Sequence, residues 1–81
     1  MKVISPYATE KTFALIDSEN SLQFIVERDA RKEEIVEELE KLLDARIDKV
    51  TVKIGKKGKI ATVKLASEYS ASDIATRIGV M

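Results

Sequence analysis

The sequence predicts a small α+β fold, a single domain over residues 1–81 in which a mainly antiparallel sheet is packed with helices. Segments in which apolar and polar residues alternate indicate strands, and segments with apolar residues every three or four positions indicate helices. Two alternating segments are joined by a turn of glycines and lysines, which is typical of a β-hairpin. The predicted order is a short strand, a helix, a strand, a helix, a hairpin and a helix.

The composition is that of a globular protein, with 44% apolar and 35% charged residues. The absence of cysteine excludes disulfide bonds and fits a reducing compartment. The first twenty residues show no secretory segment, and no apolar run approaches the roughly 20 residues that cross a bilayer. We therefore expect a soluble, cytoplasmic protein with no membrane partner.

The first two elements are a strand and a capped helix. Lys2 to Ile4 is a short apolar segment cut by Pro6, which suits an edge strand because proline donates no hydrogen bond to a neighbour. Thr9 can cap a helix that runs to about Asp17. Glu10 lies in its first turn, where a negative charge meets the positive end of the helix dipole.

The next strand is predicted to be central in the sheet. Asn20 and Ser21 indicate a turn into the segment "LQFIVE", whose apolar residues alternate with polar ones at Leu22, Phe24 and Val26. Ile25 makes the second face of this strand partly apolar as well. A strand with two apolar faces is expected between neighbours.

The clearest helix runs from Arg31 to Asp44. Its apolar stripe is formed by Ile35, Leu39, Leu42 and Leu43. Its acidic side carries Glu33, Glu34, Glu37, Glu38 and Glu40, and we interpret that side as a solvated face rather than a metal site.

Two cations, Arg31 and Lys32, begin this helix, where the helix dipole disfavours positive charge. A bound anion could use both cations together with the free backbone N–H groups. Alternatively, Glu33 and Glu34 compensate the two charges. The sequence leaves both interpretations open.

The hairpin is formed by "IDKVTVKI" and "KIATVKL", joined by "GKKGK". Alternation predicts one face with Val50, Val52 and Ile54 beside Ala61, Val63 and Leu65. The other face then carries Lys49, Thr51 and Lys53 beside Ile60, Thr62 and Lys64. After the hairpin, Ser70 and Asp73 form a capping pattern and Tyr69 with Ile74 a hydrophobic staple, and Gly79 ends the last helix.

Positive charge is concentrated on this hairpin. Residues 49–65 hold six lysines and no acid, although the whole chain has 14 basic and 14 acidic residues. Like charges held this closely repel, and a polyanion such as RNA offsets the repulsion because each phosphate contact releases counterions. The alternative is that the lysines protect an outer hairpin against strand-to-strand aggregation.

The residues offer little for catalysis. There is no histidine, no cysteine and no G-x-S-x-G turn, and "GKKGK" lacks the spacing of a phosphate-binding loop. We therefore predict no enzyme, no catalytic residue, no metal and no cofactor. The four aromatic residues, Tyr7, Phe13, Phe24 and Tyr69, show no spacing of a base-stacking platform, so recognition of shape and phosphates is favoured over single-strand readout.

Four stretches resemble the archaeal form of the large-subunit ribosomal protein L23 family: "SPYATEKT", "NSLQFIVERDARKEEIVEELEKLL", "IDKVTVKIGKKGKIATVKL" and "SASDIATRIGVM". The resemblance covers essentially the whole chain in the family's order. Its most specific parts are Pro6 with Thr9-Glu10-Lys11, Phe24-x-Val26 followed by Ala30-x-Lys32-x-x-Ile35, and the Val50 hairpin with Gly58. The chain departs from the family pattern at Arg31, at Thr51-Val52 and at Lys59-Ile60-Ala61.

This resemblance implies a structural protein of the cytoplasmic ribosome, placed on large-subunit rRNA at the rim of the polypeptide exit tunnel. It implies that Thr9, Glu10 and Lys11 dock the signal recognition particle or other exit-site factors, and that a neighbouring large-subunit ribosomal protein is a contact. It also favours the anion interpretation at Lys32. The predicted rRNA-binding residues are Lys32, Lys49, Thr51, Lys53, Lys56, Lys57, Lys59 and Lys64.

A second hypothesis is a stand-alone protein-interaction module of the same α+β architecture. It would use the acidic face of the long helix against a basic partner. Co-sedimentation with the large subunit separates the two hypotheses, because a ribosomal protein travels with the subunit until high salt removes it.

Overall fold

The α+β prediction is confirmed by a computed structural model that describes residues 1–56 and 58–80. Within these residues the chain forms four strands and three helices. Their bounds are β1 Val3–Pro6, α1 Glu10–Glu19, β2 Ser21–Val26, α2 Lys32–Leu43, β3 Ile47–Gly55, β4 Gly58–Leu65 and α3 Ala71–Arg77. The element order is the predicted one, and none of the helices in the described residues is long and apolar enough to cross a bilayer.

The four strands form one sheet in the order β1-β2-β4-β3, and each neighbouring pair is antiparallel. Strand β2 is central, as its two apolar faces predict, and β1 is at an edge. Strand β1 ends at Pro6, as the sequence indicates, but it begins at Val3 and includes Pro6, which lies opposite Phe24. An edge strand tolerates proline because its outer side needs no donor.

One face of the sheet carries the core. Alternate residues of the central strands lie here with less than 4% of their surface exposed, and they are Leu22, Phe24 and Val26 of β2 and Ala61, Val63 and Leu65 of β4. They belong to one cluster with the predicted stripe of α2 at Ile35, Leu39 and Leu43, and with Ile74 of α3. Leu42, also predicted in that stripe, is 53% exposed, and Ile54 is 76% exposed because it lies at the end of β3 near the turn. We call the face of the sheet that carries this core the covered face.

The helix ends follow from local chemistry. The Thr9 side chain caps α1 by accepting a hydrogen bond from the Thr12 backbone N–H at 3.2 Å. Helix α1 continues two residues past the predicted end at Asp17 and stops where Asn20 adopts a left-handed φ of 52°. Ser21, predicted in the turn, is already the first residue of β2. At α3 the Ser70 hydroxyl accepts from the Asp73 N–H, as predicted.

The acidic side of α2 is not simply a solvated face. The Glu38 carboxylate accepts hydrogen bonds from the backbone N–H groups of Lys2 at 2.8 Å and Val3 at 2.9 Å. The Glu40 carboxylate accepts from the Ile47 N–H at 3.1 Å. Two glutamates of the predicted solvated face therefore hold the starts of β1 and β3 against α2. The sequence interpretation missed this because the partners are backbone groups distant in sequence.

Candidate nucleic-acid interface

The second face of the sheet, which we call the open face, carries the predicted lysines. Register places Lys49 opposite Lys64, Thr51 opposite Thr62, and Lys53 opposite Ile60. Because residues directly opposite in an antiparallel pair share a face, these side chains project to the same side, as the alternation predicts. Lys49, Lys53 and Lys64 are all exposed.

Lys49, Lys53 and Lys64 form no ion pair with an acid in the part of the chain that the structure describes. Among the described residues, no carboxylate oxygen lies within 4.0 Å of the Nζ atom of Lys49, Lys53 or Lys64. Lys49 and Lys64 stand directly across from each other, an arrangement of like charges that weakens strand pairing. Within residues 1–56 and 58–80, the open face is therefore a concentration of positive charge without close ion pairs.

Helix α1 borders the open face, and two grooves lie between this helix and the hairpin. One groove, of about 290 Å³, lies between Leu15 and Glu19 of α1 and the hairpin residues Lys49 and Lys64. The other, of about 240 Å³, lies between Lys11 at the start of α1 and the tip of the hairpin at Lys53. Lys11, Leu15 and Glu19 are spaced by four residues, which places them on one side of the helix.

A buried amide holds α1 beside the sheet. Gln23 of β2 is 8% exposed, and its amide group lies between two hydroxyls, with Oε1 at 2.6 Å from Thr12 Oγ1 and Nε2 at 3.1 Å from Thr62 Oγ1. The same Thr12 hydroxyl lies 3.0 Å from the backbone oxygen of Tyr7. This network links α1 to β2 and β4, and its partners keep a buried amide from being left unsatisfied.

Lys59 is placed differently from the other lysines. It lies opposite Ile54 rather than on the open face, and its ammonium group donates to the backbone oxygens of Arg28 at 3.3 Å and Ala30 at 2.7 Å. The hairpin is thereby tied to the loop that precedes α2, which begins at Lys32. The structure does not bring Lys59 together with Lys49, Lys53 and Lys64.

The remaining predicted rRNA contacts are spread over the hairpin tip and α2. Lys56 is exposed in the turn, Thr51 is exposed on the open face, and Lys32 is exposed at the first position of α2. Lys57 lies outside the described residues.

At the start of α2, the interpretation in which Glu33 and Glu34 compensate the two cations gains support over the bound anion. The Arg31 N–H donates to the Glu34 carboxylate at 3.0 Å, while the Arg31 side chain, which has no acceptor, caps nothing. Glu34 therefore satisfies one of the backbone donors that an anion would have used.

The predicted docking motif separates into different roles. Thr9 is the N-cap of α1, and Glu10 is exposed in the first turn. Lys11 lines the groove that it shares with Lys53, on the side of the open face. The sequence treats these three residues as one motif, but the helix turns Lys11 toward the hairpin.

Sequence reasoning missed two residues of this surface, Tyr7 and Gln23. Tyr7 is half-buried and lines the groove between Lys11 and Lys53. A glutamine on the second face of a strand expected to be central is a signal that could have been recognised, since buried polar side chains need a defined partner. Tyr7 gave no such signal, because its place depends on how α1 packs.

At the β1 edge of the sheet, by contrast, the positive charge of Lys2 is paired with an acid of the same chain. Lys2 Nζ lies 2.9 Å from Asp29 Oδ2. This hydrogen bond raises the pKa of Lys2 and lowers the pKa of Asp29. Among residues 1–56 and 58–80, no group of three or more acidic side chains is placed to hold a metal ion.

Comparison with known proteins agrees with the sequence resemblance. A match to the family described as Ribosomal protein L23 covers residues 2–72. The chain is 50% identical over 78 residues to the large ribosomal subunit protein uL23 of Thermoplasma acidophilum, and the alignment covers 96% of this chain and 93% of that protein. The proteins of the same name from Picrophilus torridus and Methanobrevibacter smithii are 41% and 42% identical, with 96% of this chain covered and 95% and 92% of theirs. The chain therefore belongs to the ribosomal protein L23 family and is a structural constituent of the large ribosomal subunit rather than an enzyme.

Proposed function

We propose that the chain binds large-subunit rRNA near the polypeptide exit tunnel through its open face. The supporting observation is that Lys49, Lys53 and Lys64 share this face and have no carboxylate partner within 4.0 Å among the described residues. Phosphates would relieve the repulsion between Lys49 and Lys64 and release their own counterions. As a ribosomal constituent the chain works in the cytoplasmic ribosome, in association with rRNA and other ribosomal proteins.

The salt dependence of binding tests this proposal. The affinity of the chain for a large-subunit rRNA fragment is measured over a range of salt concentrations, for wild type and for the triple variant Lys49→Gln, Lys53→Gln, Lys64→Gln. Each phosphate contact contributes about 0.7 to 0.9 to the slope of log affinity against log salt, so the triple variant should lower the slope by about 2 to 3.

The matched control is Lys41→Gln. Lys41 is an exposed lysine on α2, where it pairs with Glu37 at 3.6 Å. Lys41 lies away from the open face, so the loss of its charge should leave the slope of log affinity against log salt unchanged. Equal slopes for wild type and the triple variant would contradict the proposal.

We further propose that Glu10, within the motif Thr9-Glu10-Lys11, docks the signal recognition particle or another exit-site factor. Its support is the family resemblance together with the exposure of Glu10 in the first turn of α1. Glu10→Gln should weaken co-sedimentation of the particle with ribosomes that carry the variant. Asp17→Asn, an exposed acid on the same helix, serves as the control and should have no effect.

A neighbouring ribosomal protein is proposed to cover the apolar groove between β1 and α2. Ile4 is 62% exposed and Leu42 is 53% exposed, and both line this groove. The adjoining surface is lined by acidic and basic side chains together, among them Glu34, Glu37 and Lys41, so a partner with apolar side chains and a polar rim fits best. Large subunits assembled with Ile4→Ser and Leu42→Ser should lose the chain at lower salt than wild-type subunits.

A further inference from the structure

We propose that the groove between the start of α1 and the hairpin tip holds one unpaired nucleotide of the rRNA. Its base would lie against Tyr7, and its phosphate between Lys11 and Lys53. This inference rests on the proposed rRNA binding and adds to it a recognition mode, the capture of an extruded base, that contacts to phosphates alone do not need.

The chemistry of the lining favours a nucleotide. Tyr7 and Ile60 give the groove an aromatic and an apolar side, while Lys11 and Lys53 line it from α1 and β3. Bases stack on aromatic side chains whatever their identity, because every base has a π-face. A surface that gripped only phosphates would need the two ammonium groups but neither Tyr7 nor Ile60.

The floor of the groove can form hydrogen bonds with a base. Thr62 Oγ1 accepts from the Gln23 amide at 3.1 Å, which leaves the hydroxyl proton of Thr62 free to donate. An accepting oxygen or nitrogen on a base edge is the group that such a donor recognises. The burial of Gln23 fixes the position of this donor.

Tyr7 is held in place before any ligand arrives. Its backbone N–H donates to the backbone oxygen of Gln23 at 2.9 Å, and its backbone oxygen lies 3.0 Å from Thr12 Oγ1. The backbone of Tyr7 is therefore already ordered, so binding would have to fix only its side-chain torsions, which favours affinity. The volume, about 240 Å³, suits a single base, whereas a double helix can only lie across the open face.

The experiment uses the two tyrosines of the chain, Tyr7 and Tyr69. The ring protons of both are followed by NMR while the protein is titrated with an oligouridylate of eight nucleotides, and separately with a blunt-ended RNA duplex of eight base pairs, which offers phosphates but no unpaired base. Stacking should shift the Tyr7 ring protons upfield with the single strand and leave those of Tyr69 in place.

Affinities of variants provide the second readout. Tyr7→Leu should weaken binding of the single strand by about 5- to 150-fold, the range expected for losing one stacked base, and should leave duplex binding unchanged. Tyr7→Phe keeps the ring and should bind like wild type. A thermal melt of each variant checks that the fold is intact.

The outcomes separate this inference from the proposed function. If the RNAs bind with the expected salt slope but the Tyr7 ring does not shift and Tyr7→Leu binds as tightly as wild type, the base-capture inference is overturned and the rRNA-binding proposal stands. If neither the rRNA fragment nor the oligonucleotides bind, both fail.

Discussion

The two faces of the sheet are built from the same strands but have opposite properties. On the covered face, Val63 of β4 is completely buried beneath the helices. One residue further along, Lys64 is exposed on the open face and lies opposite Lys49. The sheet thus separates the residues that stabilise the fold from those proposed to bind RNA, because successive residues of a strand point to opposite faces.

Because of this separation, stability and RNA affinity should respond to different substitutions. A change on the covered face should lower the free energy of unfolding without altering the RNA contacts of the folded molecules. A change on the open face should alter RNA binding without lowering the free energy of unfolding. Each prediction below tests this division, beginning with the largest expected effect.

The largest effect is expected on the covered face at Leu22, which is 1% exposed. Leu22→Ala removes buried methyl groups and leaves a cavity, so the free energy of unfolding should fall by about 2 to 5 kcal/mol. Urea denaturation measures the change, and RNA affinity is then determined under conditions where the variant is still folded. A loss below about 1 kcal/mol would show that the core is less tightly packed than the structure indicates.

Lys59 provides a sharper test, because its ammonium group binds the oxygens of Arg28 and Ala30. Lys59→Gln should lower the free energy of unfolding by about 1 kcal/mol, a value reduced for partial exposure, and should leave the salt slope of RNA binding unchanged.

Lys56 is the matched control for Lys59, since it is exposed in the turn of the same hairpin. Lys56→Gln should lower the salt slope by about 0.7 to 0.9 with little change in stability. The reverse pattern, with Lys59 controlling the slope, would mean that Lys59 leaves its backbone partners to contact RNA.

Glu38 makes the free energy of unfolding depend on pH. Partial burial acts to raise the pKa of Glu38, but the N–H groups of Lys2 and Val3 outweigh it, so this pKa lies below its ordinary value of 4.5. Ionised Glu38 therefore stabilises the fold above that ordinary value, and its contribution is lost as the pH falls through the lower, folded pKa.

Glu38→Gln should lower the free energy of unfolding by about 1 kcal/mol near neutral pH, and the difference from wild type should shrink below pH 4.5 as the native carboxylate is protonated. Denaturation at a series of pH values measures this. Glu37→Gln, in the neighbouring exposed position, removes only a surface ion pair with Lys41 and should lower the free energy of unfolding by at most about 0.5 kcal/mol near neutral pH. A difference that grew in acid would contradict the assigned hydrogen bonds.

The smallest effect is expected on the open face of the free protein. Lys49→Gln removes one of two like charges that face each other, so it should stabilise the isolated chain by a few tenths of a kcal/mol at low salt. The same substitution should weaken RNA binding. A substitution that stabilises the fold while weakening function would show that Lys49 is retained for binding rather than for folding.

Much of the fold could be predicted from local patterns. Alternation identified both hairpin strands and the shared face of Lys49, Lys53 and Lys64, and the capping residues Thr9 and Ser70 marked two helix starts. The stripe of Ile35 and Leu39 identified α2. These features depend on neighbours within a few residues, where the sequence carries the whole signal.

The site was less predictable because its parts come from separate elements. The approach of Lys11 to Lys53, the buried Gln23 amide and the role of Tyr7 all depend on how α1 packs beside the sheet. Lys59 looked equivalent to the other hairpin lysines, yet its partners are carbonyl oxygens about thirty residues earlier in the chain. Backbone acceptors leave no pattern in a sequence, so this difference could only be seen in the structure.

Chemical modification of lysines in intact large ribosomal subunits tests the central claim most directly. An amine-reactive reagent is applied to the subunits and to the free protein, and modification is quantified by mass spectrometry. If the open face lies on rRNA, Lys49, Lys53 and Lys64 should be protected in the subunit and reactive in the free protein. Equal reactivity of Lys49, Lys53 and Lys64 in the two states would contradict the account.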